Sequence, residues 1–322
     1  MKKSYKITIV AITFVIVTAV LAFAFVYGNS KKHSEEDNIS KSESFEEVEY
    51  NGHKYIYNTD IQTIAFLGVD TREKSEEGST PGWNGQSDTL LVAVLDTKTN
   101  KGRLLQISRD SMTDIEIYDM HGEFLAKDNA QLALQYAYGD GGITSCVLVT
   151  DRISDILNDI PITYYMSLNM DGIPVIADAV GGIDIVIPED YTYIDPEYTK
   201  GSSVTLTGDN AEQYVRYRDT DETGSNIPRM KRQNQVLQAI IEQLPKKAEK
   251  DSNIYMNLFQ KADPYMTTNL KIDNIDSLQN FEFDNNIVEV PGVLKEGERH
   301  DEFYIDEDEL MSIIIDLFYI EK

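Results

Sequence analysis

One cysteine in 322 residues, Cys146, leaves no partner for an intrachain disulfide and too few thiols for a cysteine-built metal centre. It lies in the apolar run ITSCVLV, where it reads as a buried, inert thiol. Cations are also short. Lys and Arg number 29 against 55 Asp and Glu, a net charge of -26, which argues against wholesale nucleic-acid binding and against an electrostatic grip on anionic lipid. There is no internal repeat, and His33 and His53 suggest no role.

One long uncharged run is present, from Ile7 to Ser30, behind Lys2, Lys3 and Lys6. It is long enough to span a bilayer, and the charged start points into the cytoplasm, although Lys31 and Lys32 blunt that asymmetry. The competing reading is a cleaved signal peptide. The run is longer than a usual signal core and FVYGNS has no small-x-small cleavage pattern, so an uncleaved anchor is favoured. The expected layout is a cytoplasmic tail at 1–6, a single-pass anchor at 7–30, and everything beyond outside the cell. Residues 31–60 read as a stalk, polar and without apolar periodicity until YNGHKYIY, whose Asn51-Gly52 pair predicts a small hairpin. Residues 61–250 form the expected main domain, and 251–322 an extension packed on it.

That domain opens with three strands, IQTIAFLGVD, TLLVAVLD and RLLQIS, each meeting a charged residue at one end. Asp70 follows the first, Asp88 precedes the second and Arg109 follows the third. Antiparallel neighbours bring the end of one strand beside the start of the next, so Asp70 and Asp88 are expected to lie close together, with Arg109 on another edge. Two carboxylates at a strand edge suit a hard cation such as Mg²⁺ or Mn²⁺, and two loop-capping aspartates would give the same pattern.

Further on, Asp128–Tyr138, Ile143–Leu157, the MDGIPVIADAV segment, Asn253–Lys261, Asn274–Phe281 and Glu307–Ile320 read as helices. ITYYMSLN, GGIDIVIPE and NNIVEV read as strands. Three consecutive strands followed by alternating elements predict an α/β (or α+β) domain, a mixed sheet flanked by helices rather than a purely parallel doubly wound one.

The most cationic stretch runs from Thr207 to Gln238 as helix, loop, helix, with Pro228 in the first turn of the second helix. It holds Arg216, Arg218, Arg229, Lys231 and Arg232; Arg229, Arg232 and Gln233 share one helical face. Arginine forks match phosphate oxygens, so the cluster suggests a bound anion. A solvated face paired with Asp219, Asp221 and Glu222 is the plainer alternative.

Seven segments, in order, resemble the LytR-CpsA-Psr family of bacterial cell-wall proteins: FLGVDTR (66–72), SDTLLVAVLDTKT (87–99), LLQISRDS (104–111), KDNAQLALQYAYGDGG (127–142), ADAVGGIDIVIP (177–188), LTGDNAEQYVRYRD (206–219) and RMKRQNQV (229–236). The resemblance covers roughly residues 62–245. It implies transfer of a teichoic-acid or capsular glycopolymer from a polyprenyl pyrophosphate carrier to peptidoglycan, on a mixed sheet with an apolar tunnel for the polyprenyl chain. It further implies Mg²⁺ on Asp70 and Asp88, and Arg109, Arg216, Arg218, Arg229 and Gln233 on the diphosphate with Arg232 in support. Asp88 is the candidate general base for the acceptor sugar hydroxyl. Two positions depart from the family pattern: Gln86 where an Arg is usual, and Asn226 where an Asp is usual. A non-catalytic polyprenyl-phosphate-binding regulator of envelope assembly is the alternative, and a surface sensor or adhesion domain a third.

Overall fold

The computed structural model describes residues 47–72, 80–218, 226–251, 254–270, 281–297 and 300–322. The expected anchor, most of the stalk and most of the expected helix at Asn274–Phe281 lie outside these residues. Among the described residues no helix is long and apolar enough to cross a membrane.

The expected hairpin is present: β1 (Val48–Tyr50) and β2 (His53–Tyr57) pair antiparallel around Asn51 and Gly52, at φ 51° and 80°. Two successive positive φ values match the twist of a two-residue hairpin, and Asn-Gly supplies them at least cost. The three predicted strands follow as β3 (Ile61–Val69), β4 (Ser87–Asp96) and β5 (Lys101–Ile107), antiparallel neighbours in the middle of one sheet. Every residue of β4 from Ser87 to Leu95 is buried, so the sheet is covered on both faces.

The next segment departs from expectation. β6 (Met112–Tyr118) and β7 (Phe124–Gln131) form a second hairpin, with Met112 opposite Gln131 and Ile115 opposite Asp128. Residues 128–131 are therefore strand, and only Leu132–Tyr138 coil, as a 3₁₀ segment that buries Leu132, Ala133, Tyr136 and Ala137. The helix prediction joined two unlike pieces because β7, exposed along most of its length, carries no alternation to announce a strand.

Helix α1 (Ile143–Ile156), strand β8 (Tyr164–Asn169) and helix α2 (Gly172–Ala179) follow as expected. Pro174 is the third residue of α2, where a missing N–H breaks no intrahelical bond. β9 (Ile183–Val186) pairs with β10 (Ser203–Leu206). Then come α3 (Gly208–Arg216) and the long α4 (Asn226–Ala248). At the start of α3 the Asn210 side chain accepts a 2.7 Å hydrogen bond from the Thr207 N–H.

The remainder of the chain completes the central sheet. After α5 (Ile254–Ala262), β11 (Met266–Thr268) pairs with β8, and β12 (Glu282–Glu289) lies parallel to β5. The strand order is β11-β8-β3-β4-β5-β12, a mixed sheet in a mixed α/β fold. A last hairpin, β13 (Gly292–Glu296) and β14 (Asp301–Ile305), precedes α6 (Glu307–Phe318) and β15 (Tyr319–Glu321), which returns to pair with β2. Only the end of the expected last helix differs: Tyr319 and Ile320 are strand, drawn into that pairing.

Candidate functional site

The expected meeting of Asp70 and Asp88 depends on a bulge. Gly68 pairs with Thr89 but Val69 pairs with Ser87, which leaves Asp88 as the extra residue on β4. Two backbone contacts close the same edge. The Asp70 N–H donates to the Gln86 carbonyl at 3.0 Å, and the Gln86 N–H donates to Asp70 Oδ1 at 2.5 Å. The approach needs glycine at 85: its φ is +79°, and a Cβ there would lie 2.7 Å from Asp70 Oδ1. Burial raises the Asp70 carboxyl above its ordinary pKa, while the Gln86 N–H and the charges of Arg109 and Arg216 pull the other way.

Arg109, just past the end of β5, reaches into this edge and is 7% exposed. Its guanidinium donates to Asp88 Oδ1 and, at 2.6 Å, to Gln86 Oε1, while its Nε lies 3.3 Å from Asp110 Oδ1. Gln86 therefore places a neutral acceptor on Arg109 where an arginine was the family expectation. Asp88 Oδ2 is buried and has no hydrogen-bond partner among the described residues. A buried carboxylate oxygen with an open coordination position fits a hard cation. Among the described residues no group of three or more His, Cys, Asp or Glu side chains is placed to hold a metal ion.

Of the arginines of the helix-loop-helix, Arg229 and Arg232 are buried, while Arg216 and Arg218 are half-buried. Arg229 is 0% exposed, and burial, then repulsion by Arg109 and Arg218, pushes its pKa well down. Asp110 opposes that shift. Moving an ion of this kind out of water costs several kcal/mol, so keeping three guanidinia here requires nearby anionic charge. Arg216 pairs with Glu212 one turn earlier, and Glu212 also accepts from Arg72 at 2.8 Å. Arg72 in turn reaches Asp171 at 2.7 Å. Arg218 lies 3.6 Å from Asp301. Asp219, Asp221 and Glu222, the partners of the surface reading, fall outside the described residues.

Arg232 grips the end of α3. Its Nε donates to the Tyr214 carbonyl at 2.9 Å, its Nη2 donates to the Tyr217 carbonyl, and its guanidinium stacks 5.3 Å from the centre of the Tyr191 ring. The last carbonyls of a helix lack intrahelical donors, and Arg232 satisfies those of α3. Gln233 makes a longer contact, 3.4 Å, to the Val215 carbonyl. Arg232 is thus a clamp that sets how α3 delivers Arg216 and Arg218, whereas Arg109, Arg218 and Arg229 form the cluster itself.

Sequence reasoning passed over five further participants. Arg72 and Asp110 sit inside quoted motifs, and Glu212 stands four residues before Arg216, a readable helical pairing. Gln131 also lies inside a quoted motif, and Asp301 gives no local signal.

Residues 22–307 match the LytR_cpsA_psr family model. The polyisoprenyl-teichoic acid–peptidoglycan teichoic acid transferase TagU of Bacillus cereus (strain AH820) is 31% identical over 219 residues, 67% of this chain and 63% of that protein. The chain thus spans under two thirds of that relative's length. The crystal structure of Bacillus subtilis TagU superposes with a TM-score of 0.55 at 24% identity, covering 80% of this chain and 96% of that one. The structure of TagT bound to LI-WTA gives 0.57 at 21% identity, covering 80% and 90%. At such identities these two structures speak for the fold, and with the family match they lead to one conclusion: the chain belongs to the LytR-CpsA-Psr family.

Proposed function

We propose that this protein is a membrane-anchored phosphotransferase that moves a glycopolymer, of teichoic-acid or capsular type, from a polyprenyl pyrophosphate carrier to peptidoglycan outside the cell. The observation that carries the reading is the cluster of buried Arg109 and Arg229 with half-buried Arg218, beside Asp70 and Asp88, in an otherwise acidic chain. A diphosphate diester carries two negative charges, and phosphoryl transfer depends on positioning and charge neutralisation more than on covalent help. The relatives named as teichoic acid transferases and the TagT structure bound to LI-WTA support the same substrate class.

In the proposed reaction a peptidoglycan hydroxyl attacks the phosphorus that carries the glycan. The bridging P–O bond breaks, the new phosphodiester joins glycan to peptidoglycan, and polyprenyl phosphate leaves. Arg109, Arg218 and Arg229 neutralise the diphosphate oxygens, and Arg216 lies alongside them. Arg232 and Gln233 hold the end of α3 in place. Asp70 and Asp88 would hold Mg²⁺, or Mn²⁺, which when bound supplies further charge neutralisation at the diphosphate. Asp88 remains our candidate to take the acceptor proton. The run from Ile7 to Ser30 would keep this chemistry at the outer membrane surface, where a lipid-linked donor is found.

The test is glycan attachment by the purified full chain, given a polyprenyl-pyrophosphate-linked oligosaccharide, nascent peptidoglycan and Mg²⁺. Wild type should transfer; Asp88→Ala and Arg109→Ala should lose about a hundredfold or more. Equal, background-level product from all three would end the reading.

A further inference from the structure

The C-terminal part of the chain meets the arginine cluster at Asp301. Asp301 opens β14, is 7% exposed, and lies with its Oδ2 3.6 Å from Arg218 Nη2. Its position is fixed by neighbours from the other end of the domain. Gln131 Nε2 donates to the Asp301 carbonyl at 2.8 Å and to Asp110 Oδ1 at 2.7 Å. The Phe303 N–H donates to the Asp110 carbonyl at 2.8 Å, and Ser111 bridges to Phe303. One glutamine thus ties the Asp110 carboxylate to the Asp301 backbone, and each of these aspartates faces an arginine: Asp110 to Arg109 and Asp301 to Arg218.

The electrostatics give this a purpose. Arg218 is among the charges that depress both Arg109 and Arg229, so the cluster repels itself when no substrate phosphate is present. An acidic side chain beside Arg218 offsets that repulsion. At 3.6 Å the contact is an ion pair but longer than a normal hydrogen bond, a geometry that can be exchanged for a better acceptor.

We propose that Asp301 is a positioning residue that acts as the site's built-in counter-anion. It holds Arg218 within the cluster in the ligand-free protein and yields it when the diphosphate arrives. This rests on the diphosphate reading above. Carboxylate and diphosphate then compete for Arg218, so the protein keeps its arginines arranged at the expense of some ground-state affinity.

The experiment is calorimetric titration of the full chain with inorganic pyrophosphate, comparing wild type with Asp301→Asn, Asp301→Ser and Asp301→Glu. Both neutral variants should bind roughly three- to tenfold more tightly at low salt, with the gain shrinking as salt rises, and the Glu variant should return towards wild type. In an Arg218→Gln background the gain from Asp301→Asn should vanish, since the coupling runs through that pair. A purely structural role would not tighten binding. Folded neutral variants that bind as wild type or more weakly overturn the proposal, as does a gain that survives loss of Arg218. If Arg229→Gln leaves wild-type pyrophosphate binding untouched, the diphosphate reading itself falls and takes this inference with it.

Discussion

Arg109 and Asp88 meet at the bulge between β3 and β4, both almost completely buried, and the second oxygen of Asp88 has no hydrogen-bond partner among the described residues. The pair joins the cationic and anionic halves of the site: one carboxylate oxygen holds the guanidinium, and the other remains for a cation or a proton.

Removing Asp88 should therefore have two separable effects. Asp88→Ala leaves Arg109 buried with Asp110 and Gln86 as its remaining partners, which should destabilise the fold by about 3 kcal/mol, at the low end for breaking a buried pair. Asp88→Asn retains shape and an acceptor, so its loss of stability should be smaller while its loss of transfer is as large. Denaturant unfolding alongside the transfer assay measures both. Equal destabilisation by the two variants would mean that the charge pair matters less than the packing.

Arg229 and Arg232 stand on one face of α4 and should fail in opposite ways. Arg229 is buried against the repulsion of Arg109 and Arg218, so Arg229→Gln should leave stability unchanged or higher while lowering transfer about a hundred- to a thousandfold. Arg232 satisfies two carbonyls at the end of α3, so Arg232→Gln should lower stability by about 2–3 kcal/mol. Arg232→Lys should not restore it, since an ammonium lacks the planar fork that spans both carbonyls and stacks on Tyr191. Thermal melts of the three variants decide the matter.

Asp70 sets a pH dependence with a definite sign. Burial raises its folded-state pKa above the unfolded value, so the folded protein binds the extra proton. The stability this confers is full below the unfolded pKa and is lost as pH rises through the folded one. At neutral pH, then, Asp70→Asn should be more stable than wild type in metal-free buffer. Added Mg²⁺ should raise the wild-type melting temperature at neutral pH, less so as pH falls through the Asp70 titration, and should have little effect on the variant. Equal Mg²⁺ shifts in both would remove Asp70 from the proposed cation site.

How much of this was legible in the sequence differs from residue to residue. Asp70 and Asp88 could be placed together because three apolar runs in succession read as antiparallel strands and the charged residues mark their ends. The bulge at Asp88 could not, since it depends on a one-residue shift of pairing that no composition announces. The shared face of Arg229, Arg232 and Gln233 followed from helical spacing, but spacing cannot separate a side chain set among other charges from one gripping neighbouring carbonyls. β7 escaped notice because it is solvated along most of its length and shows no alternation. Asp301 lies far from Arg218 in sequence and meets it only because β12 and the last hairpin fold back on the sheet beside β5.

The measurement that bears most directly on the proposed activity is the fate of the bridging P–O bond. The full chain would be incubated with a polyprenyl-pyrophosphate-linked oligosaccharide, peptidoglycan and Mg²⁺, and the products followed by ³¹P NMR and mass analysis. Transfer requires a new glycan–peptidoglycan phosphodiester and polyprenyl monophosphate in equal amounts, both absent in Arg109→Ala. Tight binding of the intact donor with no bond broken would contradict the transferase and leave a lipid-binding regulator in its place.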